Sequence, residues 1–157
     1  MSETGTNPTV EVGGYTLAID RAYDPDTHLW VQLLDGGRAR IGMDPLGVET
    51  SGTLAQLAFE PDGTTIRRGE PFGSLEAAKF VGPLVSPLSG VITGHNDAAL
   101  SDPGLVERDP LGAGWLVELE PSGTEAELGL LVGDEDEIVR RFEAKLAEYR
   151  VQGVLAE

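Results

Sequence analysis

Apolar and polar residues alternate at strand spacing through much of the chain, and near the C-terminus the period becomes helical. The stretch "HLWVQLLDGGRARIGM", His28 to Met43, predicts two strands folded about a turn at Asp35, Gly36 and Gly37. "GTLAQLAF", Gly52 to Phe59, predicts another strand, and "PDG" at Pro61 to Gly63 a turn. In "RRGEPFGSLEAA" the inward positions are Phe72, Leu75 and Ala77 or Ala78. The prolines of "VGPL" and "SPLSG" then exclude a central strand, so the chain there turns or runs along an edge. "GVITGH" from Gly90 and "GWLVELEP" from Gly114 complete the strand set. In "DEDEIVRRFEAKLAEY", Ile138, Phe142, Leu146 and Tyr149 fall on one helical face. Asp134 to Glu137 crowd its first turn, where carboxylates offset the positive end of the helix dipole. A shorter helix is expected to start at Thr124.

Composition sharpens this picture. The 21 Gly and 10 Pro are spread along 157 residues, which suits many short strands joined by tight turns. The expectation is a mainly β domain over 15–121, preceded by a loose leader over 1–14 and closed by a helical segment over 122–157 packed on the same domain. A net charge of −16 disfavours nucleic acid, whose phosphates it would repel. With no cysteine, disulfides and thiolate chemistry belonging to the chain are excluded. Two histidines apart in sequence make no metal site. No apolar run long enough for a membrane span and no secretory signal is visible, so a cytoplasmic monomer is expected.

Chemistry then narrows to an amine. Nine of the eleven basic residues are Arg, and the two lysines are Lys79 and Lys145. Lys145 reads as a helix residue whose stem covers the edge of the apolar stripe. Lys79 stands at a hairpin tip, either as an ordinary surface charge or as a site of acylation, which Arg cannot undergo because it stays protonated. His28 and Trp30, two apart on a strand, are expected to face the same side and line a cleft or cap the core. No serine elbow, nucleophile–base pair or phosphate-binding glycine loop is present, so the chain does not read as an enzyme.

The motifs "HLWV", "RIG", "GEPFGSLEAAK", "SPLSG" and "DPGLVERDPLGAGWLVELEP", in this order and spacing from Tyr23 to Pro121, resemble the glycine cleavage system H protein and its relatives. That resemblance implies a barrel-sandwich hybrid of the lipoyl/biotinyl type with C-terminal helices. It implies lipoate in amide linkage on Lys79, three residues after Glu76 and seven before Ser86-Pro87. Biotinyl carriers flank their lysine with methionine, and the lipoyl domains of 2-oxoacid dehydrogenases place Asp before it. Here the neighbours are Ala78 and Phe80. Glu76 would mark the hairpin for a lipoate–protein ligase. His28, Leu29 and Trp30 would line the arm's resting cleft, and Phe80, Val81, Gly82 and Pro83 would shape the loop.

The chain also departs from the glycine cleavage pattern. Leu29 stands where that family has a Glu that helps hold the aminomethyl-loaded arm, and about Leu46 replaces an aromatic or His. "KFVGP" after the lysine resembles the H-protein-like lipoate-binding proteins linked to sulfur oxidation. The main expectation is therefore a lipoate carrier moving sulfur-linked intermediates or reducing equivalents. Its partners would be a heterodisulfide-reductase-like complex and a dihydrolipoamide dehydrogenase. The alternatives are a carrier of the aminomethyl group in glycine cleavage, and an unmodified interaction module.

Overall fold

In the computed structural model, which describes residues 8–155, short strands alternate with short helices. The strands are β1 (Thr9–Val12), β2 (Tyr15–Ala18), β3 (Ala22–Asp24), β4 (Leu29–Leu33) and β5 (Ala39–Met43). Helix α1 (Pro45–Ser51) precedes β6 (Leu54–Phe59), β7 (Thr65–Ile66), β8 (Pro71–Ala77), β9 (Val81–Val85) and β10 (Gly90–His95). Helices α2 (Asp97–Ser101) and α3 (Gly104–Arg108), strand β11 (Val117–Pro121), α4 (Thr124–Leu128) and α5 (Glu135–Gln152) complete the chain.

Antiparallel pairing arranges the strands as β3-β4-β5-β11-β10-β7, as β6-β8-β9, and as the hairpin β1-β2. The two larger sheets pool their inward side chains. Val31, Ile41 and Leu119 of one meet Leu57, Phe72 and Leu75 of the other in a single core. Each such side chain contributes roughly 1.5–3 kcal/mol on burial. Of the expected barrel-sandwich hybrid, the antiparallel sheets and the C-terminal helices are present, while no sheet among the described residues closes into a barrel. Strand β7 has two residues, and at the opposite edge β3 exchanges 2.8 Å backbone bonds between Tyr23 and Val132. The expected edge course after Lys79 matches β9, an outer strand in which Pro83 faces Ser74.

The fold is mixed rather than mainly β, since three helices interrupt the strands where only loops were expected. Asp44 caps α1 by accepting from the Gly47 N–H at 2.7 Å, and Pro45 fits the first turn. Asn96 caps α2 through Ala98 and donates to the carbonyls of Ala113 and Trp115 at 2.8 and 2.7 Å. At the N-terminus, residues 1–7 of the expected leader lie outside the described residues. The leader's remainder is not loose: Val12 and Leu17 bury their side chains about a turn at Gly13 and Gly14, both with positive φ. This hairpin lies under α5, whose Ile138, Phe142 and Leu146 form a second core with Val12, Leu17 and Trp30. A Cβ on Gly13 would come 2.3 Å from Leu146 Cδ2, so the helix rests on bare backbone there.

One half-buried histidine gives a pH-dependent contribution. His95 has Nδ1 2.9 Å from Asp62 and Nε2 3.0 Å from Asp97. The hydrogen bond to Asp62, with smaller effects of both carboxylates, raises its pKa above the ordinary value. A raised folded-state pKa gives stability that is full below the unfolded value, about 6.5, and lost as pH rises through the folded one. An NMR titration of His95 should have its midpoint above about 6.5, and Asp62→Asn should lower it. A wild-type midpoint at or below that value would remove this contribution.

Candidate functional site

Lys79 stands at the tip of the β8–β9 hairpin. Glu76 pairs with Val81, and the Ala77 N–H donates to the Phe80 carbonyl at 2.8 Å, leaving Ala78 and Lys79 as the two-residue tip. Two-residue hairpin turns usually need positive φ and hence Gly or Asn. Neither tip residue has it. Instead the tip is fastened from outside. The Ala78 N–H donates to the Thr53 carbonyl at 2.9 Å and the Lys79 N–H to that of Ser51 at 2.8 Å. Both acceptors flank Gly52, which ends α1 with φ 80°, and a Cβ there would lie 3.2 Å from Lys79 Cγ. A glycine thus stops the helix and makes room for the lysine stem.

The Lys79 side chain is exposed, and none of the described residues pairs with its ammonium, in contrast to Lys145, which lies 3.9 Å from Asp26 and 4.0 Å from Glu148. Lys79 lines a cleft of about 420 Å³, within the range of small-molecule sites. Leu29, Met43, Leu75 and Leu84, all at least nine-tenths buried, give the cleft apolar walls. Phe80 and Pro83 contribute from the hairpin, His28 from the turn before β4, and Tyr149 from α5. Asp26 is the one carboxylate among its described lining residues and is exposed at the rim. An apolar chain carried on Lys79 fits such a space, with the amine at its edge.

Of the residues expected here, His28, Leu29, Lys79, Phe80 and Pro83 come together. Trp30 does not. The expectation that His28 and Trp30 share a strand face is corrected, because His28 lies before β4 with φ 61°. Trp30 is wholly buried in the second core, donates from Nε1 to the Pro110 carbonyl at 3.1 Å, and carries the Arg21 guanidinium 4.4 Å from its ring centroid. Leu46 is buried in that core as well, away from the cleft. Glu76, Val81 and Gly82 line a separate shallow groove with Gln56 and Ser74. A Cβ on Gly82 would meet Phe80 Cζ at 2.9 Å, so the Phe80 ring folds back over bare backbone.

Sequence reasoning missed Met43, Asp44, Ser51, Gly52 and Tyr149. Asp44 links two roles, capping α1 through Oδ1 and meeting His28 Nδ1 at 3.1 Å through Oδ2. The other ring nitrogen lies 2.7 Å from the Tyr149 hydroxyl. Burial foremost, then the nearby charges of Glu148, Asp44 and Asp26, holds the Tyr149 phenol above its ordinary pKa. An Asp-Pro dipeptide before α1 was the visible signal for the cap; nothing in the pattern signalled its histidine partner.

Comparison with known proteins bears on the family and the fold. The family model described as "Glycine cleavage H-protein" matches residues 21–142. "Glycine cleavage system H protein 2" of Aquifex aeolicus is 28% identical over 148 residues, covering 90% of this chain and 92% of that protein. The H protein of Prochlorococcus marinus (strain AS9601) is 33% identical over 110 residues, covering 70% and 84%. A crystal structure of the H protein from Mycobacterium marinum superposes with a TM-score of 0.64 at 32% identity, over 73% of this chain and 98% of that one. With a matching core fold and its lysine hairpin beside an apolar cleft, the chain belongs to the glycine cleavage H-protein family of non-catalytic lipoyl carriers.

Proposed function

We propose that Lys79 carries lipoate in amide linkage and that the protein presents this arm to partner enzymes in the cytoplasm. The observation that carries the proposal is an amine with no ion-pair partner among the described residues, at a backbone-fastened hairpin tip opening on an apolar cleft. When bound, lipoate supplies a pair of sulfurs that take up and release electrons or cargo. The chain's own residues supply placement. Carbonyls of Ser51 and Thr53 fix the arm's origin, and tethering raises the local concentration of its far end at each partner's site. Leu29, Met43, Leu75 and Leu84 keep water from an arm at rest. Glu76, exposed on the hairpin three residues before Lys79, is the charge offered to a lipoate–protein ligase.

The named relatives favour transport of the aminomethyl group in glycine cleavage over the sulfur-oxidation role first expected, since each is a glycine cleavage H protein. Dihydrolipoamide dehydrogenase would serve the arm in either pathway. One observation keeps the sulfur reading as a second. Leu29, 1% exposed, occupies the wall where a carboxylate would pair with an ammonium cargo, and Asp26 at the rim is solvated.

Two measurements separate these readings. Intact mass after treatment with lipoate and its ligase tests the carrier: one lipoyl group per chain is expected. The lipoylated protein is then incubated with a pyridoxal-phosphate glycine decarboxylase and glycine. Aminomethyl loading that survives in buffer without the folate transferase supports glycine cleavage. Absence of loading, or its rapid hydrolysis, shifts the assignment to the sulfur reading.

A further inference from the structure

The family match ends at residue 142, yet α5 runs on to Gln152. The stretch past the match supplies Tyr149, Gln152 and Val154 to the wall of the Lys79 cleft. Two features set its course. Gly153, with φ 73°, donates from its N–H to the Arg150 carbonyl at 3.2 Å, and the Val154 N–H returns to that of Tyr149 at 3.2 Å. This paired bonding about a left-handed glycine ends the helix and turns Val154 back toward the cleft. The second feature is the chain of hydrogen bonds from Asp44 through His28 to Tyr149.

Its direction follows from donor chemistry. An ionised carboxylate only accepts, so Asp44 Oδ2 calls for a proton on His28 Nδ1. In the neutral ring Nε2 is then the acceptor, and the Tyr149 hydroxyl donates to it. The raised Tyr149 pKa agrees with a phenol that keeps its proton. His28 reaches both partners from a left-handed backbone with its Cβ close against α1, where a Cβ on Gly47 would lie 2.6 Å away. The β3–β4 turn, the α1 cap and the end of α5 are joined through one imidazole. Past Leu146, the last buried residue of α5, Val151 is 89% exposed and Val154 is 40% exposed, and beyond the helix Leu155 packs half-buried against the second core.

We infer that Tyr149 is a positioning residue for the arm: its bond to His28 latches the end of α5 across the cleft and so sets how well an arm at rest is shielded from solvent. This rests on the reading of Lys79 as the lipoylated residue. Loss of the latch lets the final turns open while the hairpin, its ligase contacts and the main core stay as they are.

The test uses full-length lipoylated protein and its Tyr149→Phe variant. Both should take up one lipoyl group and give the same helical circular-dichroism signal. A water-soluble charged phosphine should reduce the variant's lipoyl disulfide about fivefold faster, the shift expected when one hydrogen bond leaves a closed–open equilibrium. In unlipoylated protein, the His28 Nε2 nitrogen resonance should move on the same substitution. Val151→Ala, on the exposed side of the same turn, should change neither reading. Equal reduction rates for wild type and Tyr149→Phe at full lipoylation would overturn the latch, as would equal acceleration by Val151→Ala. No lipoyl uptake by wild type would instead sink the carrier reading, and the latch with it.

Discussion

Lys79→Arg should leave the protein folded and wholly unloaded. In the intact-mass experiment the variant is expected to gain no lipoyl group under conditions that load wild type completely. Acylation needs an amine that loses a proton and attacks through its lone pair, and a guanidinium does not deprotonate in proteins. The structural duties at the tip belong to the backbone, through the bonds to Ser51 and Thr53, and an Arg retains both. With the side chain exposed and unpaired among the described residues, the stability change should stay within about 0.5 kcal/mol by urea denaturation. Lys145 will not take over. It lies on α5 beside Asp26 and Glu148, far in kind from a hairpin tip with an acidic residue three positions before it. Lipoyl mass on Lys79→Arg would place the modification elsewhere and undo the assignment.

Trp30→Ala should be the most destabilising of the substitutions considered, at about 3–5 kcal/mol, the usual cost of emptying a buried aromatic site. Its indole is fully buried, gives up a hydrogen bond to Pro110, and is packed so tightly that a Cβ on Gly42 would lie 2.3 Å from Cζ2. It also covers the Arg21 guanidinium, whose Nη2 is buried with no hydrogen-bond partner among the described residues. Water entering the cavity would solvate that group and offset part of the loss. Against a total stability of about 5–15 kcal/mol the remainder is still large. The denaturation midpoint should fall accordingly while lipoylation of the folded fraction proceeds at the wild-type rate. A small stability loss with faster reduction of the arm would instead return Trp30 to the cleft wall.

Much of the strand pattern was legible because the three-stranded sheet buries one face, although β4 of the larger sheet buries both, Val31 in the first core and Trp30 in the second. Leu75 and Ala77 alternate into the core, Phe72 joins them at a register irregularity between Pro71 and Gly73, and the prolines after Lys79 mark an outer strand. The hairpin of β1 and β2 was equally written, in a Gly-Gly pair between two short alternating runs, but its polar start and brevity disguised it as a leader. Helices of five to seven residues left little periodicity to detect, and their caps at Asp44 and Asn96 were the readable trace. Lys79 could be found from residue chemistry and spacing. The cleft could not, because Leu29, Met43, Leu84 and Tyr149 meet only after both sheets and α5 have packed. Trp30 was misplaced because the two-residue alternation was extended through His28, whose left-handed backbone breaks it.

The fastening of the hairpin tip has a consequence for the geometry of search. With its origin fixed by two backbone bonds, an arm sweeps a volume set by its own torsions alone. A loose tip would add its wandering to that radius, and concentration falls with the cube. Widening the radius by about a quarter would halve the time-averaged density of arm ends at any one partner. The carbonyls of Ser51 and Thr53 touch no cargo, yet they act as the pivot bearing of a crane, deciding how often its hook is where it is needed.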